Sequence, residues 1–296
     1  MSLQKMTTKK IVEKKRNGEK IATITAYDYS FAKLVDQAGI DLVLVGDSLG
    51  QVVLGYKTAL PVTIDDMIPR TQAVARGVTN ALIVGDMPFL TYKVDKKDAI
   101  LNAGRFIQAG AEAVKIEGGT EMVPTIEAIM SADIEVMGHI GLTPQKVYRF
   151  GGFMVQGKTS DAAKRLVLDA VNLERAGVFS IVLEGIPWQI AKIITEHVGV
   201  PTIGIGAGPY CDGQVLVIYD MLGLFTDFKP KFLKYYANLG ETIKTAMREY
   251  RAEIESGIFP DMEHSYEFPE DQLDDVTSWV DNIDVEQEAK KLLDSK

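Results

Sequence analysis

Short, uniformly apolar runs alternate along this chain with longer stretches in which apolar residues return every three or four positions, as in buried strands and in helices packed on one face. The short runs are IATITAY (21–27), DLVLVGD (41–47), ALIVGDM (81–87), AVKIEGG (113–119), IEVMGHIG (134–141), SIVLEGI (180–186), PTIGIGAG (201–208) and VLVIYDML (215–222). Between them a helical period runs over 30–39, 63–77, 95–110, 121–132, 161–177 and 187–199. Gly39, Gly77, Gly110, Gly177 and Gly199 close five of these stretches, where a left-handed residue ends a helix.

Strands apolar on both faces and separated by helices make a parallel sheet covered by those helices. Eight such units in 296 residues favour a closed (β/α)8 TIM-type barrel over the alternative, an open doubly wound sheet. Segment 229–257 reads as one or two further helices, so that 1–263 form the barrel domain with external C-terminal helices. Residues 264–296 differ in kind. They hold ten Asp and Glu against three Lys, −7 of the chain's formal charge of −9, and carry Trp279 among Val276, Val280 and Ile283. This acidic tail is expected to be partly disordered or to dock on a neighbouring subunit.

A net charge of −9 repels phosphate backbones, which argues against a nucleic-acid partner. The single cysteine, Cys211, excludes an internal disulfide framework and suits a reducing compartment, the cytoplasm. The basic segment 1–20 lacks the apolar core of a signal peptide, and no window approaches the ~20 apolar residues of a membrane span.

The chemistry lies where the strands end. Parallel strands bring their C-terminal ends to one face, where barrels of this kind carry their loops and sites. There the second run ends in Asp47 and Ser48, the third in Asp86, the fourth in Lys115 and Glu117, the fifth in His139 and the sixth in Glu184. Three carboxylates on adjacent strands, Asp47, Asp86 and Glu117, repel one another unless one protonates or a cation sits between them. Oxygen ligands without a Cys and His cluster point to Mg²⁺ or a similar hard ion rather than Zn²⁺. Lys115 and Glu117, two residues apart on a strand, share a face and both point into such a site. Each residue also has a plainer reading: a helix cap or turn for the lone acids and for Glu184, a structural ion pair for Lys115 with Glu117, and a satisfied core histidine for His139. The glycine-rich GIGAGPYCDG (204–213) suits either phosphate binding on backbone N–H groups or tight packing at the barrel end. Cys211 has no local partner base that would make it a nucleophile.

The blocks TAYDYSFAKLVDQAG, VGDSLG, LPVT, GDMPF, VKIEGG, GHIGLTPQ, FGGFMVQG, VLEGIP, IGIGAGPYCDGQVLV and YDMLGLF, in this order from about Ile21 to Ser265, resemble the ketopantoate hydroxymethyltransferase family. The resemblance implies a (β/α)8 barrel assembled as a decameric homo-oligomer. It implies one Mg²⁺ per subunit, with 3-methyl-2-oxobutanoate and 5,10-methylenetetrahydrofolate as substrates and ketopantoate as product. By motif it makes Asp47, Asp86 and Glu117 the metal-site acids. Asp47, Ser48, Asp86 and Lys115 bind the oxoacid, with His139 in the same site, and Glu184 is the catalytic base. Met154 stands in GGFMVQG where members often carry Lys, and Ala59 precedes LPVT where Thr is common; both bear on loop or oligomer details. The tail beyond Ser265 falls outside the resemblance.

The residues fit such a reaction. A 2-oxoacid offers a divalent cation its ketone and a carboxylate oxygen, Lys115 adds positive charge near the enolate, and Glu184 is the strand-end acid left outside the metal set. The loop YRFGGFMVQG reads as a lid over the site or as a tight turn. Two rivals remain: a Mg²⁺-dependent C–C or P–C bond lyase or mutase of the phosphoenolpyruvate mutase and isocitrate lyase kind, and a non-catalytic oxoacid-binding barrel.

Overall fold

In the computed structural model, which describes residues 4–294, eight parallel strands close into a barrel in sequence order. The first three residues and the last two of the acidic tail lie outside the described residues. The strands are β1 (Ile21–Thr25), β2 (Leu42–Val45), β3 (Leu82–Asp86), β4 (Ala113–Glu117), β5 (Val136–Gly141), β6 (Ser180–Glu184), β7 (Thr202–Ile205) and β8 (Gly213–Leu216). Pairing of β1 with β8, from Ile21 opposite Gly213 to Ile24 opposite Leu216, rules out the open sheet.

Each predicted helix is present, at Tyr29–Gln37, Ile64–Gly77, Lys96–Gln108, Val123–Met130, Ser160–Arg175 and Trp188–His197. Four of these six starts are capped by short polar side chains that accept a backbone N–H, three of them simply: Asp28 from Phe31, Asp95 from Lys97 and Thr159 from Ala162. At Thr63 and Asp66 the exchange is reciprocal, a capping box.

Two apolar layers follow from the alternation of side chains along each strand. Outward residues such as Val43, Val45, Ile83, Val114, Ile116 and Ile181 pack against the helices. Inward residues, among them Ile21, Leu42, Leu44, Leu82, Val84, Met137, Val182 and Ile203, fill the barrel interior. Ile11, on the N-terminal helix Thr8–Arg16, joins that interior cluster and is fully buried. It packs with Ile21 and Leu42, near the strand starts, and so closes the end of the barrel opposite the strand ends that carry the acids.

The eighth run differs from expectation. The strand covers Gly213–Leu216, and Ile218–Met221 turn into a single helical turn, so the apolar run 215–222 straddles a strand end and a helix. A short apolar run has no internal period to mark that boundary.

The chain divides into two compact units, residues 1–240 and 241–296. Segment 229–238 carries no helix, and the helix Leu239–Ser256 lies almost wholly in the second unit. In that unit Tyr250 and His264 each pack a ring on Phe259, and Asp261 caps the turn Met262–His264. The acidic segment carries two helices, Glu270–Asn282 and Val285–Asp294.

Ile11→Ala is expected to lower stability by about 2–5 kcal/mol, the range for truncating a buried aliphatic side chain. Urea unfolding measures the loss, and a variant as stable as the wild type would remove Ile11 from the packing that closes this end of the barrel.

Candidate active site

Along the inward face of four strands the apolar filling gives way to polar side chains near the C-terminal end. Val84 is followed by Asp86, Ala113 by Lys115 and Glu117, Met137 by His139, and Val182 by Glu184. Asp47 arrives differently: β2 ends at Val45, and the turn through Gly46 swings the carboxylate inward. Asp47, Ser48, Asp86, Lys115, Glu117, His139 and Glu184, the full set singled out from the sequence, line one cavity of about 670 Å³.

The plainer readings of these acids do not hold. Ser48, not Asp47, precedes the helical turn Leu49–Val52 and makes no side-chain cap. Pro187, not Glu184, precedes the helix Trp188–His197, likewise without a side-chain cap. Lys115 does pair with acids, but chiefly with Asp86, Nζ to Oδ1 at 2.7 Å, against 3.8 Å to Glu117 Oε1.

Lys115 is the hub. Its Nζ also lies 3.2 Å from His139 Nδ1. An ammonium only donates, so Nδ1 accepts and the imidazole proton sits on Nε2. That nitrogen approaches Glu184 Oε2 at 3.2 Å but is not aligned for a hydrogen bond. Burial, reinforced by the Lys115 charge, holds His139 well below the usual histidine pKa, so its contacts with Glu117 and Glu184 are those of a neutral ring rather than ion pairs.

Burial alone would lower the Lys115 pKa, but Asp86, then Glu117 and Asp47, raise it above the ordinary lysine value, and the side chain is charged. Burial pushes Asp86 well up, against the pull of Lys115 and with added repulsion from Asp47 and Glu117. It pushes Glu117 up to about 8 in the same way. Glu184 also rises to about 8, by burial first, with Lys115 opposing and Asp47 and Asp86 adding to the rise. One ammonium therefore faces Asp47 and three further acids, Asp86, Glu117 and Glu184, that burial has made reluctant to ionise together.

Two residues outside the predicted set organise the cluster. Gln145 donates from Nε2 to Asp47 Oδ2 (3.0 Å) and to the Met87 carbonyl (3.0 Å), and from its backbone N–H to Glu117 Oε2 (3.1 Å). Its own Oε1 accepts from the Tyr92 hydroxyl at 2.6 Å, and Tyr92 in turn accepts the Glu117 N–H at 3.1 Å. Asp47 N–H donates to Asp86 Oδ2 at 3.2 Å. Gln145 sits in the GHIGLTPQ block, and its position after Pro144 was the one available signal. Ser48 Oγ lies 2.9 Å from the hydroxyl of Tyr27, a further buried partner.

The donor set suits a hard divalent cation. Asp86 Oδ1 and Glu117 Oε1 are buried without an aligned hydrogen bond, and such oxygens are the ligands Mg²⁺ takes, one or two carboxylates at a time with water or substrate filling the other positions. The three acids do not form a ready chelate: among the described residues no group of three or more His, Cys, Asp and Glu side chains is arranged to hold an ion. Lys115 draws Asp86 toward itself instead.

Elsewhere the packing readings hold. Gly206 and Gly208 have positive φ, and a Cβ on either would strike Phe232 or Trp188. Cys211 is buried outside the acid cavity, with its thiol pKa raised by burial. Phe153 and Val155 of the FGGFMVQG loop line the cavity, and Phe153 stacks on Phe228 at 6.4 Å between ring centres. Met154 is exposed beside them and Ala59 is buried away from the cavity.

The architecture is that of a group of (β/α)8 barrel enzymes. The chain is similar to 2,3-dimethylmalate lyase, a member of the phosphoenolpyruvate mutase/isocitrate lyase superfamily, with a TM-score of 0.56 and 17% identity over 95% of this chain and 98% of that one. It is similar to the same extent, TM-score 0.56, to phosphonopyruvate hydrolase in complex with oxalate and Mg²⁺, at 14% identity over 88% of this chain and 93% of that one. At these identities the likeness concerns the fold alone.

Sequence comparison goes further. The family model for ketopantoate hydroxymethyltransferase matches residues 5–262, and the chain belongs to that family. It is 58% identical over 273 residues to the 3-methyl-2-oxobutanoate hydroxymethyltransferase of Syntrophomonas wolfei, covering 92% of this chain and 99% of that protein. It is 59% identical over 264 residues to the enzyme of the same name from Clostridium kluyveri, covering 89% of this chain and 94% of that protein.

Gln145→Leu is expected to strip donors from Asp47 and to weaken Mg²⁺ binding in the presence of oxoacid by roughly 10–100-fold, the usual effect of losing a partner behind a metal ligand. Isothermal titration calorimetry measures it, and unchanged affinity would remove Gln145 from the site.

Proposed function

We propose that the protein transfers a hydroxymethyl group to 3-methyl-2-oxobutanoate from 5,10-methylenetetrahydrofolate, with water supplying the hydroxyl oxygen and tetrahydrofolate released. The observation that carries the reading is a charged Lys115 and a high-pKa Glu184 facing one cavity together with the oxygen ligands of a divalent cation. Asp47, Asp86 and Glu117 would hold Mg²⁺, which when bound polarises the substrate ketone and offsets negative charge. Family membership supports the same substrate and product.

The roles of the chain's own groups follow from their chemistry. Ser48 offers its hydroxyl or N–H to the oxoacid carboxylate beside Asp47. Glu184, ionised, takes the proton from C3, and its raised pKa makes it a stronger base than an exposed carboxylate. Lys115 supplies positive charge to the enolate as it forms, in a water-poor setting where that charge counts most. Neutral His139 relays no charge; it fixes Lys115 on one side and approaches Glu184 on the other. One water adds to the folate-borne methylene and its bond to the folate nitrogen breaks, releasing tetrahydrofolate and leaving a formaldehyde-level carbon. The enolate carbon bonds to that carbon, and Glu184 returns its proton to the new alkoxide, while the apolar wall with Phe153, Trp188 and Phe228 limits the site to little water.

No cysteine lines this cavity, which weighs against the lyase and mutase rivals, and simple oxoacid binding has no use for a base at Glu184. We propose further that the chain forms a homo-oligomer, a decamer on the family resemblance. The row Ile243, Met247, Tyr250 and Ile254 supports this: it forms an exposed apolar stripe on one helix of the second unit. Among the described residues no helix is long and apolar enough to cross a membrane. A buried, reduced Cys211 fits the cytoplasm.

Ketopantoate formation from the two substrates is expected with Mg²⁺ and is expected to be lost with chelator; absence of product with any divalent metal would sink the proposal. Glu184→Gln is expected to bind oxoacid normally while kcat falls by roughly 10²–10⁴, the contribution of a positioned general base. Because the base works only when deprotonated and its pKa is raised, wild-type kcat is expected to rise with pH. Positive charge from a bound cation lowers the midpoint, which is expected no higher than about 8. A flat profile from pH 6 to 9 would contradict the assignment.

A further inference from the structure

The cavity is larger than a small oxoacid requires. Its 670 Å³ falls in the range of roughly 300–1,000 Å³ that accommodates drug-sized ligands, and the acid cluster occupies only its inner end. The outer walls are aromatic, with Phe153, Trp188, Phe225, Phe228 and Phe232. They suit a flat ring system.

One further acid lines this cavity and has no role in the enolising chemistry. Asp220 lies on the helical turn Ile218–Met221 after β8, and its Oδ1 is buried without a hydrogen-bond partner. A buried oxygen left unpaired is costly and calls for a ligand or an ordered water. Asp220 is also close to the substrate end: the Tyr27 phenol, which contacts Ser48, feels the charges of both Asp220 and Asp47. Burial raises the Asp220 pKa only to about 6, so at neutral pH the group is an ionised, acceptor-only carboxylate. Such a group selects a ligand edge with two adjacent N–H donors, because the paired geometry is the strong one.

We propose that Asp220 binds the pterin ring of the folate co-substrate, accepting hydrogen bonds from the ring N–H and the exocyclic 2-amino group, and so holds the one-carbon donor in the aromatic outer half of the cavity. This rests on the folate reading above. It adds a substrate-binding residue on the turn after β8, two strands round the barrel from Glu184 on β6, so that the two substrates are held by different walls.

The test uses the full chain with Mg²⁺ and oxoacid, and compares the wild type with Asp220→Asn and Asp220→Glu. Calorimetry measures binding of tetrahydrofolate and of its 2-desamino analogue, and NMR follows exchange of the oxoacid C3 proton without folate. Asp220→Asn is expected to weaken tetrahydrofolate binding by roughly tenfold or more and to lose the wild type's preference over the analogue. Asp220→Glu, which keeps the acceptor, recovers part of both, and C3 exchange persists in each variant. Equal tetrahydrofolate affinity in all three proteins overturns the Asp220 assignment and leaves the folate reading standing. Loss of C3 exchange along with folate binding also overturns it, since Asp220 would then be supporting the inner site. A wild type that exchanges the C3 proton but binds no tetrahydrofolate overturns both.

Discussion

The buried ammonium of Lys115 is the interaction on which the site depends. It contacts Asp86, Glu117 and His139 within the closed barrel, where desolvation penalises every unpaired charge. A single positive charge does not balance Asp47, Asp86, Glu117 and Glu184. The surplus is met partly by protons, as the raised pKa values of Glu117 and Glu184 indicate, and partly by the donors of Gln145 and the Asp47 backbone. In the proposed function this excess of acid over cation is where a divalent ion, and a substrate binding through it, would sit. Burial, with added repulsion from Asp47 and Asp86, keeps Glu184 basic, as the proposed role in removing a carbon-bound proton requires.

The barrel makes this arrangement possible. Its register sets Asp86 beside Lys115 and Glu117 beside His139, so that groups far apart in sequence become neighbours on one inward face. Ile11 and the inward aliphatic residues fill the other end. Stability and chemistry therefore occupy opposite ends of one core, and polar residues at the strand ends do not compete with the packing that closes the barrel.

Much of this was legible in the sequence, for reasons that can be stated. Period-two alternation placed Lys115 and Glu117 on one face, and parallel strands placed Asp86, His139 and Glu184 at a common end. Gln145 and Tyr92 were missed because they reach the cluster from loops, whose paths follow no period. Asp47 was found by its position after β2, although a turn rather than strand alternation aims it inward. The end of β8 was misread because an apolar run looks the same in a strand and in the helical turn that follows. Asp220 was hidden in that same run, as one acid among apolar neighbours.

The most direct test of the central claim is exchange of the C3 proton of 3-methyl-2-oxobutanoate with solvent deuterium, followed by NMR, with Mg²⁺ and no folate. The account predicts exchange well above the protein-free rate for the wild type, and its loss in Lys115→Met. Exchange that requires folate, or that survives removal of the ammonium, would contradict it.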